Sequence, residues 1–355
     1  MLAGTFRYVL RTCQSGFESL LSRELGDLHG CTSIEMGPGW VRCTAGPAAT
    51  GAVPAGERLR LETPLVFAHL SLIEPVELRG DSVNALAGQI ADFLLTKLRG
   101  ERIEAGWPCV WIGPGEVIGL GRRIAAVEGA FRDLLKRRLA RVARLASDEI
   151  PRTVGAARGL FVHFADFGRA FVAREAFIHG QRRMADDPLA PSRSYLKVEE
   201  AYLILGRPPA GHETVCDLGA APGGWSYSAA KHGARVVAVD NGPLKGGALD
   251  HPLIEHRRED AFRFAPPEGK PFDWLFCDMV EEPHHVLRNI VAPWLAQRWC
   301  RRFVINLKFG RVDAIGLLRE LRAASSPFTA HAPDARIRHL FHDREEVTVT
   351  GELRS

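Results

Sequence analysis

The chain has 355 residues, enough for two or three domains including a catalytic core of ordinary size. Its 46% hydrophobic and 25% charged content excludes a disordered or fibrous chain, and its net charge of +4 is compatible with an acidic partner such as RNA without demonstrating one. No apolar run approaches membrane-spanning length, Met1 to Arg11 lacks a signal-peptide core, and the seven scattered cysteines show neither C-x-x-C nor paired zinc spacing, so a reduced, cytoplasmic setting with no membrane and no metal is expected.

Residues 1–70 read as a small α/β unit, with a strand at 6–12 and a helix opened by Gly16-Phe17-Glu18-Ser19-Leu20-Leu21 and running to about Leu25. The stretch 37–56 is rich in Gly, Ala and Pro and reads as turns and a connection. Residues 71–175 form a second α/β unit. Asp81 is the expected N-cap of a helix through Leu98, and 107–117 is punctuated by Gly and Pro. A long helix is expected over 124–145, then two short strands at 160–164 and 170–173 around Asp166-Phe167-Gly168. The long helix carries Lys136, Arg137, Arg141 and Arg144. The last three fall at i, i+4 and i+7, on one face, which fits contact with phosphates and equally an ordinary solvated face.

Residues 176–192 read as a polar, Pro-punctuated linker, and 193–355 alternates strand and helix. Seven strands are expected, at 214–218, 235–239, 254–257, 272–277, 303–308, 336–341 and 346–350. The last two would be joined by a short turn at His342-Asp343-Arg344, giving a mostly parallel sheet that ends in a hairpin.

The first of these strands runs into Gly219-Ala-Ala-Pro-Gly-Gly-Trp225, a strand–glycine turn–helix that aims backbone N–H groups into a crevice. It is not the dinucleotide fingerprint G-x-G-x-x-G, which argues against a nicotinamide dehydrogenase. Asp240 ends the next strand about twenty residues on, where an acid can accept both ribose hydroxyls. Asp260 and Asp278 end the following two strand regions. Of 46 basic residues only seven are lysine, and Lys197 and Lys308 both lie beside apolar residues where this chain's habit would be arginine.

The spelling Asp217-Leu-Gly-Ala-Ala-Pro-Gly-Gly-Trp225 resembles the S-adenosylmethionine loop of the FtsJ-like ribose 2′-O-methyltransferases. The resemblance spans roughly 185–350 and implies a Rossmann-like methyltransferase domain. It further implies S-adenosylmethionine as cofactor, held by Ser194, Gly219, Ala221, Pro222, Gly223, Gly224, Trp225, Asp240, Asp260 and Asp278. The family's Lys–Asp–Lys–Glu tetrad has matches in Lys197 (Ser192-Arg-Ser-Tyr-Leu-Lys197), Asp278, Lys308 (Ile305-Asn-Leu-Lys308) and Glu346. Glu345 and Glu346 would point to opposite faces of a strand, and the family's E-V-x-[IV]-V spelling selects Glu346.

The closer spellings, among them Val239-Asp-Asn-Gly-Pro243 and Cys277-Asp-Met-Val-Glu281, resemble members that methylate a cytidine of bacterial large-subunit (23S) rRNA. Ala221 stands where those members carry cysteine. The two N-terminal units resemble ferredoxin-like and THUMP pieces, expected to present RNA. The resemblance implies rRNA as the partner; the sequence does not name the oligomeric state, and a monomer is favoured. The alternatives are 2′-O-methylation of another RNA, a small-molecule or protein O-methyltransferase, and an RNA-binding protein with a vestigial methyltransferase domain.

Overall fold

The computed structural model describes residues 8–44, 65–152 and 154–354. The start of the strand expected at 6–12 and most of the connection expected at 37–56 lie outside the described residues. The chain divides into two compact units, Met1–Gly180 and Gln181–Ser355.

In the N-terminal unit, strands from both expected α/β pieces join one sheet. Its order is Thr32–Gly37, Trp40–Thr44, Tyr8–Thr12, Leu70–Ile73, Arg169–Ile178, Gly155–Phe164, Trp107–Ile112 and Ala146–Ser147, with Val76–Arg79 also pairing with Arg169–Ile178. Helices Val83–Lys97 and Leu120–Arg138 lay Leu86, Ile90, Leu94, Val127, Phe131 and Leu135 into one core with Leu160, Val162 and Phe164. The first of these helices is capped by Ser82, whose hydroxyl accepts from the Ala85 N–H, and not by Asp81 as expected. The single long helix expected over 124–145 is two helices, because Leu139 leaves the helical conformation (φ −144°, ψ 67°) and Ala140–Arg144 starts anew.

The C-terminal unit contains β1 (Thr214–Leu218), β2 (Arg235–Val239), β3 (Ile254–Arg257), β4 (Phe272–Cys277), β5 (Cys300–Lys308), β6 (Arg336–Arg338) and β7 (Glu346–Glu352). Their order is β3-β2-β1-β4-β5-β7-β6. The first five run parallel and β7 lies antiparallel between β5 and β6, the order of a Rossmann-like methyltransferase sheet. Such parallel strands are covered on both faces, so they read as near-continuous apolar runs. Val215, Cys216 and Leu218 in β1 and Trp274, Leu275, Phe276 and Cys277 in β4 are fully buried. The expected hairpin is formed, with β7 as the inserted strand.

Residues 181–192 are fastened to this unit. The Arg182 N–H donates to buried Glu200, the Met184 N–H to His342 Nε2, the Tyr195 hydroxyl to the Ala185 carbonyl, and Lys231 pairs with Asp187. Glu200 also accepts from the N–H groups of Phe341 and His342. It thereby ties this segment to the turn before β7.

Candidate active site

The glycine turn follows β1. Gly219 has φ +75° and Gly223 φ +104°. A Cβ on Gly219 would lie 2.5 Å from Met279 Cγ, and one on Gly223 2.5 Å from the Ala248 methyl, so both positions need glycine for conformation and for space. The helix Gly224–Lys231 then begins. Asp240, at the end of β2, braces the turn: its carboxylate accepts from the Ala221 N–H at 3.0 Å and from the Gly242 N–H at 2.7 Å. Beneath the turn, fully buried Asp217 accepts from the Ser226 hydroxyl at 2.6 Å. Burial pushes the Asp217 pKa up to about 7, against the Ser226 bond and with help from Asp278 and Asp240.

Trp225 is buried and its indole N–H donates to the carbonyl and hydroxyl of Ser194, which fixes the segment entering helix Tyr195–Leu205. The Ser194 hydroxyl donates in turn to Asp278. Asp260 follows β3, its carboxylate accepting from the Phe262 N–H and half exposed.

Four side chains meet where β4, β5 and β7 end. Lys308, last residue of β5, is in register with Glu346, first residue of β7. Lys197 reaches in from helix Tyr195–Leu205, and Asp278 follows β4. Lys197 Nζ lies 3.0 Å from Asp278 Oδ2 and 2.8 Å from Glu346 Oε1, while Lys308 Nζ lies 2.5 Å from Asp278 Oδ1 and 2.5 Å from Glu346 Oε2. Lys197 Nζ also donates to Asp278 Oδ1 at 3.3 Å, so each carboxylate bridges the two lysines, and the ring is formally neutral. Burial pulls the Lys197 amine down, but Asp278, Glu346 and Asp343 outweigh it and hold its pKa above the ordinary value. Burial likewise pushes Asp278 and Glu346 up, and the two lysines outweigh it and hold both below the ordinary carboxylate range. The repulsion between the two ammonium groups, which spacing alone would emphasise, is therefore balanced by the two shared carboxylates. Lys308 is 24% exposed, Lys197 11% and Glu346 6%, so Lys308 is the more accessible of the two lysines.

Asn306 has no role in the sequence reading beyond its place in Ile305-Asn-Leu-Lys308. Here its side-chain oxygen accepts from Lys308 Nζ at 2.9 Å. The available signal was its spacing, since residues i and i+2 share a strand face. Among the described residues no group of His, Cys, Asp and Glu is arranged to hold a metal ion, and no helix is long and apolar enough to cross a membrane.

The FtsJ-like methyltransferase family model matches residues 190–301. Ribosomal RNA large subunit methyltransferase M of Laribacter hongkongensis is 38% identical over 246 residues, covering 64% of this chain and 66% of that protein. The protein of the same name from Xanthomonas oryzae pv. oryzae is 31% identical over 362 residues, covering 95% of this chain and 96% of the relative. The chain belongs to the ribosomal RNA large subunit methyltransferase M family.

Among solved structures, TrmN from Thermus thermophilus aligns over 98% of this chain and 99% of its own at 16% identity, with a TM-score of 0.35. As a family member the chain is an S-adenosylmethionine-dependent methyltransferase, and its residues fit that cofactor. Gly219 and Gly223 give the turn the left-handed backbone it needs after the strand, and the Asp240 carboxylate keeps acceptor capacity beyond its two backbone bonds, as a cofactor with hydroxyl groups requires.

Proposed function

We propose that this methyltransferase modifies the ribose 2′-oxygen of a cytidine in bacterial large-subunit (23S) rRNA, with Lys308 as general base. The observation that carries this reading is the closed ring of Lys197, Asp278, Lys308 and Glu346 at the strand ends, beside the glycine turn. A ribose hydroxyl is a poor nucleophile and needs a base to take its proton as it attacks. S-adenosylmethionine, when bound, supplies an electrophilic methyl group. Lys308 accepts the hydroxyl proton as the free amine, and Asp278 and Glu346 hold the ammonium that forms. Lys197 keeps the two carboxylates in place and balances their charge. Asp240 accepts from the cofactor ribose. Ser194 holds Asp278 and carries the N-terminal end of the Lys197 helix. Gly219, Ala221, Pro222, Gly223 and Gly224 form the cofactor cradle, and Asp260 faces the adenine side.

The names of the relatives support rRNA as the substrate class. The N-terminal unit supports RNA contact through Lys136, Arg137, Arg141 and Arg144, all exposed and engaged by none of the ion pairs among the described residues. Three of them, with buried Phe131 and Leu135, line a cavity of about 560 Å³. The test is to incubate the protein with labelled S-adenosylmethionine and rRNA from a strain lacking the enzyme, then map 2′-O-methylation. A single methylated cytidine ribose is expected. Label on a base atom, or none in RNA, sinks the reading.

A further inference from the structure

Behind Lys308 lies a second layer of polar side chains that the reaction above does not use. Asn306 shares a strand face with Lys308, and the register sets Asn306 opposite Thr348 as it sets Lys308 opposite Glu346. Asn306, Thr348 and Asp343 are each 1% exposed. Every polar atom of the Asn306 amide has a partner: Nδ2 donates to Asp343 Oδ1 at 3.2 Å and to Thr348 Oγ1 at 3.1 Å, while Oδ1 accepts from Lys308 Nζ at 2.9 Å. The Thr348 hydroxyl donates to the Asp343 carboxylate at 3.0 Å, and the Leu340 N–H donates to Asp343 Oδ2 at 2.9 Å. These bonds decide which way the amide faces. Turned over, its carbonyl would meet the Asp343 carboxylate and its N–H groups the Lys308 ammonium, two contacts of like polarity in a buried site.

We infer that Asn306, locked by Asp343 and Thr348, is a positioning residue that sets the direction of the Lys308 amine; this rests on Lys308 acting as the general base. An ammonium has three hydrogens, and Lys308 directs them to Asp278, Glu346 and Asn306. The free amine has two hydrogens and one lone pair. Asp278 and Glu346 are shared with Lys197, whereas Asn306 is neutral and fixed from behind. It holds one amine hydrogen in either protonation state. The lone pair is thereby kept from turning back toward the strand.

The titratable groups around the ring are Cys277 and Asp278 at the end of β4, Lys197 from its helix, Glu346 on β7 and Asp343 from the turn before it. Asn306→Asp is close to isosteric, places a third carboxylate on the amine and favours the ammonium. The measurement is single-turnover methyl transfer at saturating RNA and cofactor, as a function of pH. The rising limb should move about one unit or more to higher pH in Asn306→Asp, with S-adenosylhomocysteine affinity unchanged. Asn306→Ala should lower the plateau rate about 10–100-fold through misplacement of the base. Asp343→Asn should cost little once Asn306→Ala is present, because both act on the same amine. Should Asp343→Asn fail to fold, Thr348→Val removes the bridging hydroxyl and should show the same non-additivity. An Asn306→Asp profile superimposable on the native one, or second-layer losses that add in full to those of Asn306→Ala, overturns the inference. Lys308→Ala is measured alongside. If it keeps the native rate, the general-base reading fails first; if it is inactive while the Asn306→Asp profile stays put, only the positioning role fails.

Discussion

Lys308 carries the proposed base chemistry, and its environment sharpens what a substitution should do. Lys308→Ala should lower methyl transfer about 10²–10⁴-fold, the usual cost of losing a positioned base. Lys308→Arg should not rescue it, because a guanidinium stays protonated. Single-turnover methylation at saturating RNA is the check, and a near-native arginine variant would reduce Lys308 to a positive charge. Asp240→Ala should weaken S-adenosylhomocysteine binding by about 10²-fold or more, as hydrogen bonds to a charged acceptor contribute about 1.5–3 kcal/mol each; calorimetry reads this directly, and an unchanged affinity removes Asp240 from the site. Asp217 makes a different kind of prediction. Its folded pKa of about 7 lies above the ordinary carboxylate value, so folding favours the protonated form. The stability this contributes is complete below the ordinary carboxylate pKa and is lost as pH rises through about 7. Asp217→Asn imitates the protonated acid. The thermal midpoint of the variant relative to the native protein should therefore climb as pH is raised from about 5 to about 8. A gap that does not change with pH would mean that Asp217 titrates normally.

At the scale of elements, short spellings carried the C-terminal unit, because a buried parallel strand is an apolar run with a turn at each end. The four ring residues could be read because each sits in its own short motif. Asn306 and Asp343 could not, since their roles depend on the register of β5 against β7 and on the fold of the turn before β7. The N-terminal strands were harder. Trp107–Ile112 carries Pro108 at its second position, where a proline is tolerated near a strand start although it reads as a breaker. The paired strands Thr32–Gly37 and Trp40–Thr44 lie in and beside a stretch that composition marks as turns. The arginine-rich helix shows the limit of periodicity. With the break at Leu139, Arg137 lies in the last turn of one helix while Arg141 and Arg144 lie on the next, so i, i+4, i+7 spacing does not put the three on one face; Lys136, Arg141 and Arg144 are the ones that line one cavity. Neutralising Arg137, Arg141 and Arg144 together should lower RNA affinity and flatten its salt dependence, by about one unit of slope for each phosphate they neutralise, leaving cofactor affinity intact. If the slope does not move, these arginines only solvate the surface.

At the scale of the whole molecule, each unit has a hydrophobic core of its own. One is built on Leu86, Ile90, Phe131 and Val162, the other on Val198, Trp225, Trp274 and Phe276. Every residue of the ring, the glycine turn and the Asp240 brace belongs to the second unit, as does the strap at 181–192. A unit with its own core is expected to fold alone, so residues 181–355 expressed by themselves should unfold cooperatively and bind S-adenosylhomocysteine as the full chain does. The exposed Lys136, Arg137, Arg141 and Arg144 belong to the first unit. Removing that unit should therefore abolish methylation of rRNA at substrate concentrations that saturate the full chain, with loss of salt-sensitive RNA binding as the cause. Calorimetry with S-adenosylhomocysteine and filter binding of RNA across a salt series separate the two effects. A truncated chain that binds cofactor and still methylates rRNA at the full rate would place RNA recognition in the C-terminal unit, and the N-terminal cations would lose their proposed role.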